Sequence, residues 1–166
     1  MDIRDLIGYN HVVRRLYLDS FAKLPWSEVV APRGVSFDSM RDVFLHLTLV
    51  EDRWINYAIP GRFSLWVDPV FDDYTDIEHL KRYMFMVEEK TQLYLQKLTP
   101  EELNRKMEIP WGEKPYALLR VEDVLTHMVM EDMIHYGELS ALLWQMGEEA
   151  PYRAYWRYKY NKKSLV

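Results

Sequence analysis

The chain has 166 residues, 49% of them apolar and 28% charged, the balance of one globular domain able to bury a full core. A net charge of −5 argues against a generic nucleic-acid binder, and the lack of cysteine rules out disulfides and thiolate ligands from the chain itself. Residues 1–15 carry charges throughout without an apolar signal core, and no apolar run approaches the roughly 20 residues of a membrane span, so a cytoplasmic location with no membrane is expected.

The spacing predicts a first helix over 2–24. Leu6, Tyr9, Val13, Leu16, Tyr17 and Leu24 recur every three or four residues, and Pro25 stops it. Pro32 and Gly34 mark a turn. Ser36 or Asp38 is placed to cap a second helix that runs to Ile59, with Val43, Leu47, Val50 and Trp54 on its apolar stripe. Pro60-Gly61 ends it. Residues 60–74 form a long aromatic connection, suited to crossing from one end of a bundle to the other. Thr75-x-x-Glu78 reads as a capping box opening a third helix, whose stripe holds Ile77, Leu80, Met84, Val87, Thr91, Tyr94 and Leu98. A short turn follows at Thr99–Glu102. Residues 106–116, with Pro110, Gly112 and Pro115, read as irregular or a hairpin. A fourth helix runs from about Val121 to Met146, stopped by Gly147. Four amphipathic segments and no sustained strand pattern give an all-α four-helix bundle over 1–150, followed by a basic, aromatic tail at 151–166.

His127, Glu131 and His135 stand four residues apart on the fourth helix. At about 100° per residue, side chains four apart lie on one face and can converge on one small object. Measured from the stripe of Val121, Val124, Leu125, Met128, Leu139, Leu142 and Met146, His135 is near the centre, Glu131 about 40° aside and His127 about 80°. A carboxylate on a core face is informative, because Glu is rarely buried without a partner or a metal. On the second helix His46 lies at the edge of the core face. By the same phase His11 and His79 read as surface histidines. Glu51 falls on another side of the second helix from His46, backing the site at most. Glu88, about 40° off its stripe, is expected to reach toward solvent. Trp54 and Tyr136 flank the site.

Taken together, Tyr9-Asn10, then Leu45-His46-Leu47 followed by Glu51-Asp52-Arg53-Trp54, then His127 through His135-Tyr136-Gly137-Glu138 resemble, in order and spacing, the DinB/YfiT-like superfamily of four-helix bundles. The resemblance covers about 1–147. It implies a metal site of one histidine from the second helix and two from the last, falling here on His46, Glu131 and His135. The middle position departs, with a carboxylate where the family usually has imidazole. Three readings follow: a two-histidine, one-carboxylate triad; His127 substituting as a ligand; or a degenerate site without metal, in which Glu131 accepts hydrogen bonds from the histidines.

Nitrogen and oxygen donors suit zinc, nickel, iron or manganese, and three protein ligands with an open position are the catalytic arrangement. The resemblance thus implies a transferase or hydrolase that brings an external low-molecular-weight thiol or water to a small electrophile, and a homodimer. The alternative is a non-catalytic bundle serving as a stress-response or binding scaffold. Phe63, Trp66 and Phe71 of the 60–74 connection either strap the bundle end or cover the pocket mouth. The tail carries Arg153, Arg157, Lys159, Lys162 and Lys163 and no acid, leaving −10 on the remainder. Interleaved aromatics there could stack single-stranded nucleic acid, but packing on an acidic body is the simpler expectation.

Overall fold

The computed structural model describes residues 2–112, 114, 116–151 and 154–163, with backbone alone at 162 and 163. Four long helices form the body: α1 (Ile3–Phe21), α3 (Met40–Asp52), α4 (Ile77–Gln96) and α6 (Val121–Gln145). Short helices α2 (Trp26–Val29) and α5 (Pro100–Asn104) lie between them, and α7 (Tyr155–Lys163) follows. Each of α1 and α3 packs against both α4 and α6. This is the all-α bundle, with its long crossover at 60–74. The segment before α6 closes as a two-stranded antiparallel ribbon, Lys106–Glu108 (β1) with Leu118–Arg120 (β2), and Met107 faces the core opposite Leu119.

Short polar side chains start the helices by accepting otherwise unpaired backbone N–H groups. Asp2 caps α1, Ser39 caps α3 and Asp76 caps α4. Two expectations are corrected here. Neither Ser36 nor Asp38 caps α3, because Asp38 sits at φ 71, a left-handed turn that passes the cap on to Ser39. Thr75 does not open α4; Asp76, one residue on, accepts from His79 N at 2.9 Å. Beyond Asp52, α3 widens into a π-helical stretch, Arg53–Ala58, in which Ile59 N bonds Trp54 O and Arg62 N bonds Tyr57 O, each across five residues. At the far end of α6, Gly147 takes φ 78 and Glu148 N returns to Leu143 O, closing the helix.

The core seam of α1 is rotated from the expected stripe. Ile3, Ile7, Asn10, Arg14, Tyr17 and Phe21 face inward, while Leu6, Tyr9, Leu16 and Leu24 are only partly buried. Two polar residues on this seam belong to an ionic core at the centre of the bundle. Arg14 is 0% exposed. Its guanidinium donates to Glu51 Oε2 at 2.7 Å and to both Asp132 oxygens at 3.1 Å. Glu51 Oε1 accepts from Thr91 at 2.5 Å and faces His11 Nε2 at 2.8 Å. Asn10 donates to Asp132 at 2.8 Å. His11 is therefore not a surface histidine; it is buried at 2% exposure, because Glu51 reaches across to it. Glu88 does not reach solvent either. It is buried and ion-paired with Arg15. Burial works against the Glu51 charge, yet His11 and Arg14 outweigh it and hold the carboxyl well below the usual range.

The tail helix docks on α1. Tyr9 meets Tyr155 and Tyr158 edge to face at 5.4 and 5.8 Å, and Lys159 pairs with Asp5. Gly8 lets Tyr158 come close, since a Cβ there would lie 2.6 Å from its hydroxyl.

Candidate metal centre

His46, Glu131 and His135 come together between α3 and α6, with one donor atom from each inside a 4.8 Å span. Glu131 Oε2 lies 3.5 Å from His135 Nε2 and 3.9 Å from His46 Nε2. His127 Nε2 is 3.8 Å from the other Glu131 oxygen, on the solvent side. His79 sits apart, bonded to Thr75 at the start of α4. Among the described residues this is the one group of three or more ligating side chains that could hold a metal ion.

The histidines are aimed by groups behind them. His135 Nδ1 lies 2.5 Å from Glu138 Oε2. A carboxylate only accepts, so a proton is on Nδ1, and Nε2 is turned toward Glu131 and His46. Glu138 is held in turn by Ser36, whose hydroxyl donates at 2.7 Å and whose backbone N–H donates at 3.3 Å. Burial acts to raise the Glu138 pKa, but its bonds from His135 and Ser36 win and lower it. Phe37 stacks on the His46 ring at 3.8 Å between centroids and meets His135 edge-on at 5.5 Å. Burial, reinforced by the His135 and Arg53 charges and opposed by Glu131, lowers the His46 pKa to about 4, so its ring is neutral at neutral pH.

This donor set fits a divalent transition metal. Tetrahedral bonds of about 2.1 Å would put donors about 3.4 Å apart, close to the 3.5 Å between His135 and Glu131, while His46 stands 3.9 Å from Glu131 and all three donors lie within 4.8 Å. Two imidazoles and one carboxylate match the two-histidine, one-carboxylate pattern, and the Glu138–His135 contact is the kind of outer-layer support that metal-binding histidines usually carry.

Some neighbours lie elsewhere than expected. Tyr136 does not flank the centre; its hydroxyl donates to Asn10 O on α1 and its ring stacks on Tyr17. Trp54 does flank it, with its ring 6.3 Å from His127 and 4.4 Å from Trp111. Phe63 of the crossover packs on Trp111 at 4.9 Å, while Trp66 packs on Tyr57. Sequence reasoning gave no role at the centre to Ser36, Phe37, Glu138 or Trp111. For Glu138 a signal existed, because a residue three past His135 lies on the same helix face.

Fold and site together define an all-α bundle with a two-histidine, one-carboxylate cluster between its second and last long helices. The chain belongs to the DinB family, whose model matches residues 2–164. No curated protein matches it significantly. Among the described residues no helix is long and apolar enough to cross a membrane.

Proposed function

We propose that this DinB-family protein holds one divalent transition metal on His46, Glu131 and His135 and joins a small electrophile to a low-molecular-weight thiol or to water. The observation that carries this reading is the orientation of His135, whose Nδ1 is fixed by Glu138 so that Nε2 turns toward Glu131 and His46. A bound cation would supply Lewis acidity that lowers the pKa of a water or thiol nucleophile. Three protein donors leave room for that nucleophile. With no cysteine in the chain, a thiol has to come from outside. Phe37 shields one face of His46 from water. His127, exposed at the solvent edge of Glu131, is placed to take up or deliver a proton.

The alternative is a metal-free binding or stress-response scaffold. In it Glu131 would accept hydrogen bonds from its histidines, and at 3.5, 3.8 and 3.9 Å these contacts are longer than well-formed bonds. Metal analysis of protein isolated without chelators tests the choice. About one equivalent per chain is expected, retained in His127→Ala. Negligible metal in the wild type removes the basis of the enzyme reading. Loss of the metal from His127→Ala makes His127 a ligand.

We further propose that the active form is a homodimer joined through the outer face of α6. Met130, Ile134 and Trp144 are 61, 63 and 66% exposed there, with the small Gly137 and Ala141 between them. The acids of this stretch turn away: Glu131 toward the histidines, Asp132 to Arg14 and Glu138 to His135. An uncharged apolar face of this kind marks an interaction surface. Its large residues at both ends and small ones in the middle suit antiparallel pairing with a second copy about a two-fold axis. Sedimentation should give twice the 20.1 kDa chain mass, falling to one chain in Ile134→Glu. A wild type that sediments as a monomer at micromolar concentration contradicts this.

A further inference from the structure

Arg53 opens the π-helical stretch, two turns past His46. Its guanidinium carbon lies 4.7 Å from the centre of the Trp111 ring. The side chain is half-buried, and its Nε is closed to solvent without a hydrogen-bond partner among the described residues. Arg14 and Arg33 also leave Nε unpartnered, but their guanidinium ends hold acids, Arg14 with Glu51 and Asp132 and Arg33 with Glu28, as Arg41 does with Asp42; Arg53 has no such partner among the described residues. Arg53 feels Asp68 and Glu131 only at longer range, and burial pulls its pKa down. Beside it, Trp54 is almost fully buried and its Nε1–H also lacks an acceptor among the described residues. A buried donor left unpaired is costly and calls for an explanation.

Position supplies one. Trp54 leads through His127 to Glu131, and the Arg53 charge is felt at both His46 and Glu131, so this cation stands at the rim of the metal centre. Trp111 and Phe63 give it an apolar wall. The one carboxylate of the centre does not cancel a dication, and Arg53 adds a further positive charge. A planar guanidinium fork matches a carboxylate. We propose that Arg53 is the anchor of a carboxylate-binding subsite beside the His46–Glu131–His135 centre, selecting small molecules that carry a carboxylate. This specificity rests on the metal reading, but the subsite is testable without it.

The metal-loaded protein is titrated with 3-mercaptopropionate and with its neutral counterpart 3-mercapto-1-propanol, by calorimetry. The wild type should bind the carboxylate thiol about tenfold more tightly. Arg53→Gln should bring that ratio close to one with metal content and melting temperature unchanged. Arg53→Lys, which keeps the charge without the fork, should fall between and serves if Arg53→Gln does not fold. In chelator-treated protein, propionate should change tryptophan fluorescence saturably in the wild type and not in Arg53→Gln. That arm needs no metal, so a protein without metal would defeat the proposed function and leave the subsite to be judged by propionate alone. Equal binding of the two thiols by the wild type, a preference that survives in Arg53→Gln, or tighter binding of inorganic phosphate than of propionate overturns the subsite.

Discussion

Arg14→Met is expected to lower the unfolding free energy by about 3–5 kcal/mol, because it strands two buried carboxylates without their cation. Glu51 and Asp132 both depend on the Arg14 guanidinium, and neither can turn to water from the middle of the bundle. Against a typical domain stability of about 5–15 kcal/mol, such a loss should drop the melting temperature by roughly 6–20 °C. Adding Glu51→Gln and Asp132→Asn to Arg14→Met should recover part of it, since the burden lies in unpaired charge rather than lost volume. Glu51 also gives the network a pH signature. Its folded pKa is depressed below the ordinary 4.5, so its contribution is complete above that value and fades as pH falls below it. The stability gap between wild type and Glu51→Gln should therefore narrow from pH 6 to pH 3 in urea unfolding. An Arg14→Met protein within 1 kcal/mol of the wild type would show that the ionic core contributes little.

His135→Ala is expected to weaken metal binding by about 100-fold or more, and Glu138→Ala by about 10–100-fold, the range for partners that orient a ligand from behind. The two substitutions act on one side chain in different ways. His135→Ala removes a donor atom. Glu138→Ala leaves the donor but frees the ring to turn and to place its proton on either nitrogen, since Glu138 is what holds Nδ1–H. Competition with a fluorescent zinc chelator would separate them. Ser36→Ala, which removes one of the donors to Glu138, should fall between Glu138→Ala and the wild type. If Glu138→Ala binds metal as the wild type does, the imidazole is held by packing, with Phe37 the leading cause.

The bundle was legible because most of its helices bury apolar residues every three or four positions, and Leu80, Met84 and Val87 of α4 lie where that spacing puts them. The expected cluster was legible through phase for Glu131 and His135, and through resemblance for His46. The α1 seam was not, because two of its members, Asn10 and Arg14, are polar, and a search for apolar stripes turns the helix by about one residue to avoid them. That same rotation sent His11 to the surface. Ser36 and Phe37 reach the centre through a loop whose course depends on the left-handed turn at Asp38. Trp111 arrives from a segment without periodicity, so nothing in its neighbours' spacing pointed at Trp54 or Arg53.

Glu131 and Asp132 are adjacent, yet they serve different centres on different sides of α6, one beside the histidines and the other bonded to Arg14. This has a consequence for how relatives of the chain can vary in length. An insertion or deletion of one residue within the middle of α6 would rotate everything beyond it by about 100°. Inserted before Glu131, it would turn both acids away from their partners; inserted after Asp132, it would carry His135 off its shared face. Length change is thus confined to the connections, and the 60–74 crossover and the stretch between the two strands are where gaps in an alignment of such chains should gather.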